Sequence, residues 1–137
     1  MRVVLDTNVL VSGTFWTGAS YHVLKFIDSK KLVLIVSKEI IAEYDRVLHD
    51  DEIMNKAAYS IARAESVKKI VQMATFVYPE EKINIVKEDP DDDKFIEAAV
   101  AGNATVIISK DNHLLKLKNF RLISIISPEE FLRSHNE

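Results

Sequence analysis

The sequence predicts an α/β fold: a three-layer α/β/α sandwich built on a central, mainly parallel sheet. Two observations predict it. Short apolar runs (Val3-Val4-Leu5, Leu32-Val33-Leu34-Ile35-Val36, Thr105-Val106-Ile107-Ile108) alternate with segments whose apolar residues recur at helical spacing. The run from Leu32 to Val36 is also continuously apolar, the pattern of a strand covered on both faces.

Each element follows from local chemistry. Met1 to Asp6 reads as a short buried strand, and Asn8 to Thr14 fits either a turn or a short helix. From Ala19 to Asp28, Tyr21, Val23, Leu24 and Ile27 keep helical spacing. After the Leu32–Val36 strand, Ser37 caps a helix reaching about Leu48. Asp50 to Ala74 reads as one or two helices, Thr75 to Tyr78 as a strand ended by Pro79, and Ile83 to Val86 as a short extended piece. Asp89 before Pro90 has the form of an N-cap for an alanine-rich helix reaching Ala101, where Gly102-Asn103 stops it. Thr105 to Ile108 is a strand, Asn112 to Leu117 a short helix and Leu122 to Ile126 a last strand. Ser127-Pro128-Glu129-Glu130 combines a serine cap, proline at the first helical position and a capping-box glutamate.

Bulk numbers narrow the possibilities. The 137 residues make one domain, 1–137, large enough for a real core. Apolar residues at 47% and charged residues at 28% exclude a disordered chain. Without cysteine there are no disulfides and no thiolate metal site. Asp6 interrupts the first apolar run before a signal-peptide core can form, and no stretch reaches membrane-spanning length, so the expected location is the cytoplasm. The net charge of −3 speaks against a broadly basic nucleic-acid binder, although divalent cations would reverse the local sign of an acidic cleft.

The chemistry is carried by carboxylates. In an open parallel sheet, ligands bind beyond the carboxyl ends of the strands. Asp6 and Asp111 both follow strands, although each is also placed to cap the next turn or helix. On a wheel of about 100° per residue, Ile40, Ile41, Tyr44, Val47 and Leu48 form one stripe, Glu43 borders it, and Glu39 and Arg46 point further away. A carboxylate beside the core needs a partner, either a salt bridge at the edge or a metal. Glu88 to Asp93 holds five acids in six residues. Capping and the helix dipole account for two or three of them; Asp93, in the same turn, is the candidate ligand, and Asp92 is the middle case that could share its role. Converging carboxylates repel unless a cation sits among them, and an all-oxygen set suits magnesium or manganese. His22, His49, His113 and His135 lack zinc-ligand spacing. Phe15 and Trp16 fit core packing or stacking on a base.

Together these residues resemble the PIN-domain ribonucleases. Asp6-Thr7-Asn8-Val9-Leu10-Val11-Ser12 is similar to the family's opening. Ser37 to Tyr44 is similar to the segment with the second acid, Glu43, and Asp93 to Ala99 to the helix with the third. Ile107-Ile108-Ser109-Lys110-Asp111-Asn112-His113-Leu114-Leu115 is similar to the strand and turn with the fourth, with Ser109 where threonine is commoner. The opening and the Asp-Pro-Asp-Asp-Asp run most resemble the toxins of toxin–antitoxin pairs.

The resemblance implies a PIN-like fold and a metal-dependent endoribonuclease acting on single-stranded RNA. Asp6, Glu43, Asp93 and Asp111 would be catalytic and hold one or two Mg²⁺ or Mn²⁺ ions. Asn8 and Ser109 would orient them, and Lys38 and Lys110 would touch the RNA backbone. A small antitoxin protein and a second copy of the chain are the implied partners. Three rivals stand beside this reading. An aspartyl-nucleophile phosphatase needs a second aspartate two positions after the first, where this chain has Asn8. A receiver-like signalling module needs paired acids after the first strand, and Leu5-Asp6 offers one. A non-catalytic module with an acidic Mg²⁺-binding pocket would keep the fold without turnover.

Overall fold

The computed structural model describes residues 1–15, 18–49 and 61–135. The described elements run β1 (Arg2–Leu5), α1 (Thr7–Phe15), α2 (Ala19–Asp28), β2 (Val33–Val36), α3 (Lys38–Leu48), α4 (Ile61–Gln72), β3 (Thr75–Phe76), a 3-10 turn (Pro90–Asp92), α5 (Asp93–Ala101), β4 (Val106–Ile108), α6 (Asn112–Leu115), β5 (Asn119–Phe120), β6 (Ile123–Ile126) and α7 (Pro128–Ser134). Trp16 and residues 50–60, for which stacking or helices were expected, lie outside the described residues.

The six strands lie in the order β3-β2-β1-β4-β6-β5. All neighbours are parallel except β5 and β6. Helix α5 packs over β1, β2 and β4, while α1 packs against α2, α3 and α4, and α2 against α7. Helices thus cover a central sheet in three layers, as the alternation of runs predicts. The inner strands carry the core: Val3, Val4, Leu5, Ile35, Ile107 and Ile108 are fully buried. Burying a side chain of this size stabilises by about 1.5–3 kcal/mol. Tyr44, Phe95 and Phe131 bring the largest buried rings from α3, α5 and α7.

Capping sets the helix starts. The Ser37 hydroxyl accepts from Ile40 N at 3.3 Å, and the Ser127 hydroxyl from Glu130 N at 3.1 Å. The ambiguous stretch after Asp6 is helical because the Asp6 carboxylate accepts from Val9 N at 2.9 Å. Helix α1 lies tight on α2 at Gly13, where an added Cβ would fall 2.7 Å from the Ser20 carbonyl oxygen.

Three local expectations differ from the structure. Ile83 to Val86 joins no strand; the amides of Ile83, Ile85 and Val86 donate instead to carboxylates of Glu97 and Asp93 on α5. Asp89 makes no side-chain cap, because a 3-10 turn stands between it and α5 and the Asp89 carbonyl takes Asp92 N. The edge strand β5 was not anticipated. It is two residues long, too short for any periodicity, and its turns use positive φ at Lys118 (64°) and Arg121 (55°) where no glycine signals them. Among the described residues no helix is long and apolar enough to cross a membrane.

Candidate metal centre

β1 and β4 pair in parallel with Leu5 opposite Ile108. The ladder continues past the strand ends through Asp6 N donating to the Ile108 carbonyl at 3.1 Å. Asp6 and Ser109 are therefore side by side where both strands finish. β2 lies on the other side of β1 and leads into α3. The chain leaves β1 in both directions, so this is a switch point of the sheet, the place where open α/β folds bind ligands.

Ser109 is fully buried and links two acids. Its hydroxyl donates to the Asp6 carboxylate and accepts from Asp111 N at 2.9 Å. Asp6 also accepts from Lys110 N at 3.1 Å. Burial raises the Asp6 pKa, the donors Ser109, Val9 and Lys110 counter it, and the nearby charge of Asp111 adds to the rise. Asp111 caps α6 by accepting from His113 N at 2.8 Å through one oxygen. The capping alternative for Asp111 thus holds without removing it from the cluster.

The third corner is Asp92. It is buried, and its Oδ2 has no hydrogen-bond partner. Its pKa is pushed up to about 8, first by burial, then by its hydrogen-bonding approach to Asp111 and by the charges of Asp89, Asp111 and Glu43. Asp93 is engaged by backbone: one of its oxygens accepts from Ile85 N at 3.0 Å and Val86 N at 2.8 Å. Its carboxylate ties the incoming segment to α5. The acid the structure brings to the cluster from this run is Asp92, one residue before the one expected. Asp89 joins from the rim, where Asp89, Asp111 and His113 place one ligand atom each within 4.8 Å of one another. His113 is half-buried, 3.3 Å from Glu88 through Nε2 and 3.9 Å from Asp111 through Nδ1.

Glu43 lies where the wheel puts it, half-buried beside Ile40 and Tyr44, with Glu39 exposed. Both its oxygens are engaged. Thr7 donates its hydroxyl to Oε2, and the Lys94 ammonium lies 2.6 Å from Oε1. Lys94 also reaches Asp91 at 2.8 Å. Burial works against the Lys94 charge, but the bonds and charges of Asp91 and Glu43 outweigh it and raise its pKa. Tyr44 donates to the Leu5 carbonyl at 2.5 Å, and burial together with Asp6 and Glu43 keeps its phenol protonated.

Asn8 is exposed and bonds no carboxylate among the described residues; Thr7, its neighbour, does so. Sequence reasoning missed Thr7 and Lys94 in these roles. Both lay inside quoted segments, Thr7 in the opening and Lys94 in the Asp93 to Ala99 run, but neither was given a role. Lys110 and Lys38 are exposed, and the Lys110 ammonium reaches the Ser12 hydroxyl at 3.4 Å.

The donor set is mostly carboxylate, with the His113 imidazole beside it. Asp92 is buried beside Asp111 with one oxygen unpartnered, and the ligand atoms of Asp89, Asp111 and His113 converge within 4.8 Å, so the residues fit a divalent ion.

The sequence matches the family model described as PIN domain over residues 2–113. The crystal structure of PAE2754 from Pyrobaculum aerophilum aligns over 100% of both chains with a TM-score of 0.61 at 15% identity, a likeness of fold. No curated protein gives a significant sequence match.

Proposed function

Because the chain belongs to the PIN-domain family, whose members are typically nucleases, we propose that it is a metal-dependent endoribonuclease hydrolysing phosphodiester bonds of single-stranded RNA. The observation that carries this reading is the buried, unpartnered Asp92 oxygen beside Asp111, with Asp6 bound to the same serine hub. In this reading Asp6, Asp92 and Asp111 hold Mg²⁺ or Mn²⁺, with Asp89 at the rim. Asp93, the acid first expected as ligand, holds the segment before the helix.

A divalent ion held there lowers the pKa of a bound water and offsets charge on the phosphate oxygens. The rest is done by the chain. Ser109 holds the Asp6 carboxylate in one orientation and fixes the turn that carries Asp111. Tyr44 satisfies the last carbonyl of β1. Lys110 and Lys38, both exposed, contact the RNA backbone and position it without reading sequence.

The toxin role, a small antitoxin as inhibitor, a homodimer and a cytoplasmic location belong to the same proposal. The toxin role and its antitoxin rest on the likeness of the opening and of the Asp-Pro-Asp-Asp-Asp run to toxins of that kind, the homodimer on the family likeness, and the location on a chain without cysteine.

The test is cleavage of a labelled single-stranded RNA by the parent and by Asp6→Asn, with Mn²⁺ and with excess EDTA. Cleavage by the parent with Mn²⁺ alone, lost in the folded variant, is expected. Undiminished cleavage in EDTA would sink the metal mechanism. Metal-induced stabilisation without any cleavage would favour the non-catalytic module.

A further inference from the structure

Three large apolar residues stand exposed in the stretch 73–78: Met73 (37%), Phe76 (41%) and Tyr78 (79%). Phe76 belongs to β3, an edge strand of the sheet, and Tyr78 follows it by two residues. Val77 between them packs on the core instead. The Phe76 and Tyr78 ring centroids are 5.0 Å apart at an interplanar angle of 54°. Phe76 thereby braces Tyr78, which stays largely in solvent. Single exposed apolar side chains are ordinary, but an aromatic pair close to a third apolar residue is a contact surface.

The register of the sheet says what this surface meets. The pairs Val3–Leu34, Leu5–Ile108 and Val36–Phe76, carried past the strand ends, put Val77, Ser37, Asp6 and Ser109 in one row across β3, β2, β1 and β4. The Val77 amide donates to the Val36 carbonyl at 2.9 Å and the Asp6 amide to the Ile108 carbonyl at 3.1 Å, which continues the ladders past the strands. Tyr78 and Lys38 are the next residues on from Val77 and Ser37. Neighbouring strands lie about 4.8 Å apart, so the chain reaches Tyr78 about 10 Å from Asp6, at the same end of the sheet. Exposed Lys38 starts α3 from β2, the strand between the rings and the acid. The chain carries a net charge of −3, so its attraction for phosphates is weak. Stacking needs no positive charge and accepts any base, because every base has a π-face. Two aromatic side chains offer about 150–250 Å² each, short of the roughly 800 Å² per partner of a stable protein interface.

We propose that Phe76 and Tyr78 form a stacking platform for a base of the single-stranded RNA, with Lys38 meeting the backbone between that base and the acidic centre. The inference rests on the RNA reading above and adds the side on which the strand leaves the centre, over β2 towards β3.

The experiment is fluorescence anisotropy of the full chain with a labelled oligoadenylate RNA of about eight nucleotides, in EDTA so that it stays uncleaved. The parent, Tyr78→Ala, Tyr78→Trp and Phe76→Ala are compared on this RNA and on an abasic oligomer with the same backbone. Tyr78→Ala is expected to weaken binding of the oligoadenylate by about fivefold or more, and Tyr78→Trp to bind at least as tightly as the parent. Phe76→Ala, which removes the brace, is expected to weaken binding less than Tyr78→Ala. On the abasic oligomer the parent and the Tyr78 variants are expected to agree within about twofold, because no base is there to stack. Parent-level binding of the oligoadenylate by Tyr78→Ala, or an equal loss on both oligomers, overturns the inference. So does a parent that leaves the oligoadenylate unbound, and so does a parent dimer that Tyr78→Ala dissociates in sedimentation, which makes the pair a contact between copies. Should Phe76→Ala fail to fold, the two variants at exposed Tyr78 decide. Base-dependent binding by a parent that cleaves no RNA with Mn²⁺ brings down the nuclease reading and keeps the platform, whereas cleavage with parent-level binding by Tyr78→Ala brings down only the platform.

Discussion

The Ser109 hydroxyl donates to the Asp6 carboxylate, joining residues 103 positions apart across the ends of β1 and β4. The same hydroxyl accepts from Asp111 N, so one buried oxygen sets the position of two acids. Ser109→Ala should therefore lower RNA cleavage by about 10–100-fold with the fold intact. Its stability should fall by about 1–3 kcal/mol, because a buried polar group loses its partner. Ser109→Thr keeps the hydroxyl and should retain more activity than Ser109→Ala. Cleavage rates and urea melts of the two variants check this; parent-level cleavage by Ser109→Ala would remove the serine from the site.

Asp92 and Asp93 should separate cleanly. Asp92→Asn should abolish Mn²⁺-dependent cleavage and most of the metal-induced rise in melting temperature, since Asp92 is buried beside Asp111 with one oxygen unpartnered. Asp93→Ala should instead destabilise the apo protein by about 1–3 kcal/mol, because the Ile85 and Val86 amides lose their acceptor. Melts with and without metal read both effects. The reverse pattern would return the third ligand to Asp93.

A pH effect follows from Asp92. Its folded pKa is raised from 3.8 to about 8 by burial, by the approach of Asp111, and by the charges of Asp89, Asp111 and Glu43. Below pH 3.8 the carboxyl is protonated folded and unfolded, and its contribution is fully present. As pH rises, the unfolded chain gives up this proton first, so stability is lost progressively until the folded group ionises near pH 8. Metal-free protein should thus melt lower at pH 8 than at pH 5, and Asp92→Asn should flatten that slope. A slope unchanged in the variant would assign the effect to other groups.

Glu43→Gln should slow single-turnover cleavage by about tenfold or more, and Glu39→Gln should leave it within about twofold. Glu43 accepts from Thr7 and Lys94, whereas Glu39 is exposed in the first turn of α3. Equal losses would mean that the bonded network around Glu43 is irrelevant to the reaction.

Gly13→Ala should destabilise by about 1–3 kcal/mol through overpacking, since its Cβ would fall 2.7 Å from the Ser20 carbonyl oxygen and the Leu24 side chain. Helix α1 starts at Thr7, so a shift there would also move the Glu43 partner. A denaturation midpoint at the parent value would show that α1 and α2 can separate without cost.

Local chemistry was legible because it acts locally. Ser37 and Ser127 cap the helices they precede, and the apolar runs became β1, β2, β4 and β6, because a hydroxyl three residues from an amide or a run of valine and isoleucine needs no distant partner. The placement of Asp6 and Asp111 at strand ends followed from the same pattern, as did Glu43 beside the stripe of α3. Ile83 to Val86 escaped it because the acceptors for their amides come from α5, on residues 93 and 97.

What the sequence by itself determined was the order of elements, the parallel sheet and the end of the sheet where acids gather. Which acids meet was decided only by tertiary structure. Asp91, Asp92 and Asp93 are adjacent and chemically alike, and one residue of helical rotation, about 100°, sends their carboxylates to different partners. The choice among them depends on Lys94 bound to Asp91, on Asp111 beside Asp92, and on the Ile85 and Val86 amides bound to Asp93. Asp111 reaches Asp92 from beyond β4, and the Ile85 and Val86 amides reach Asp93 from a segment outside the sheet, so no local pattern could carry that choice.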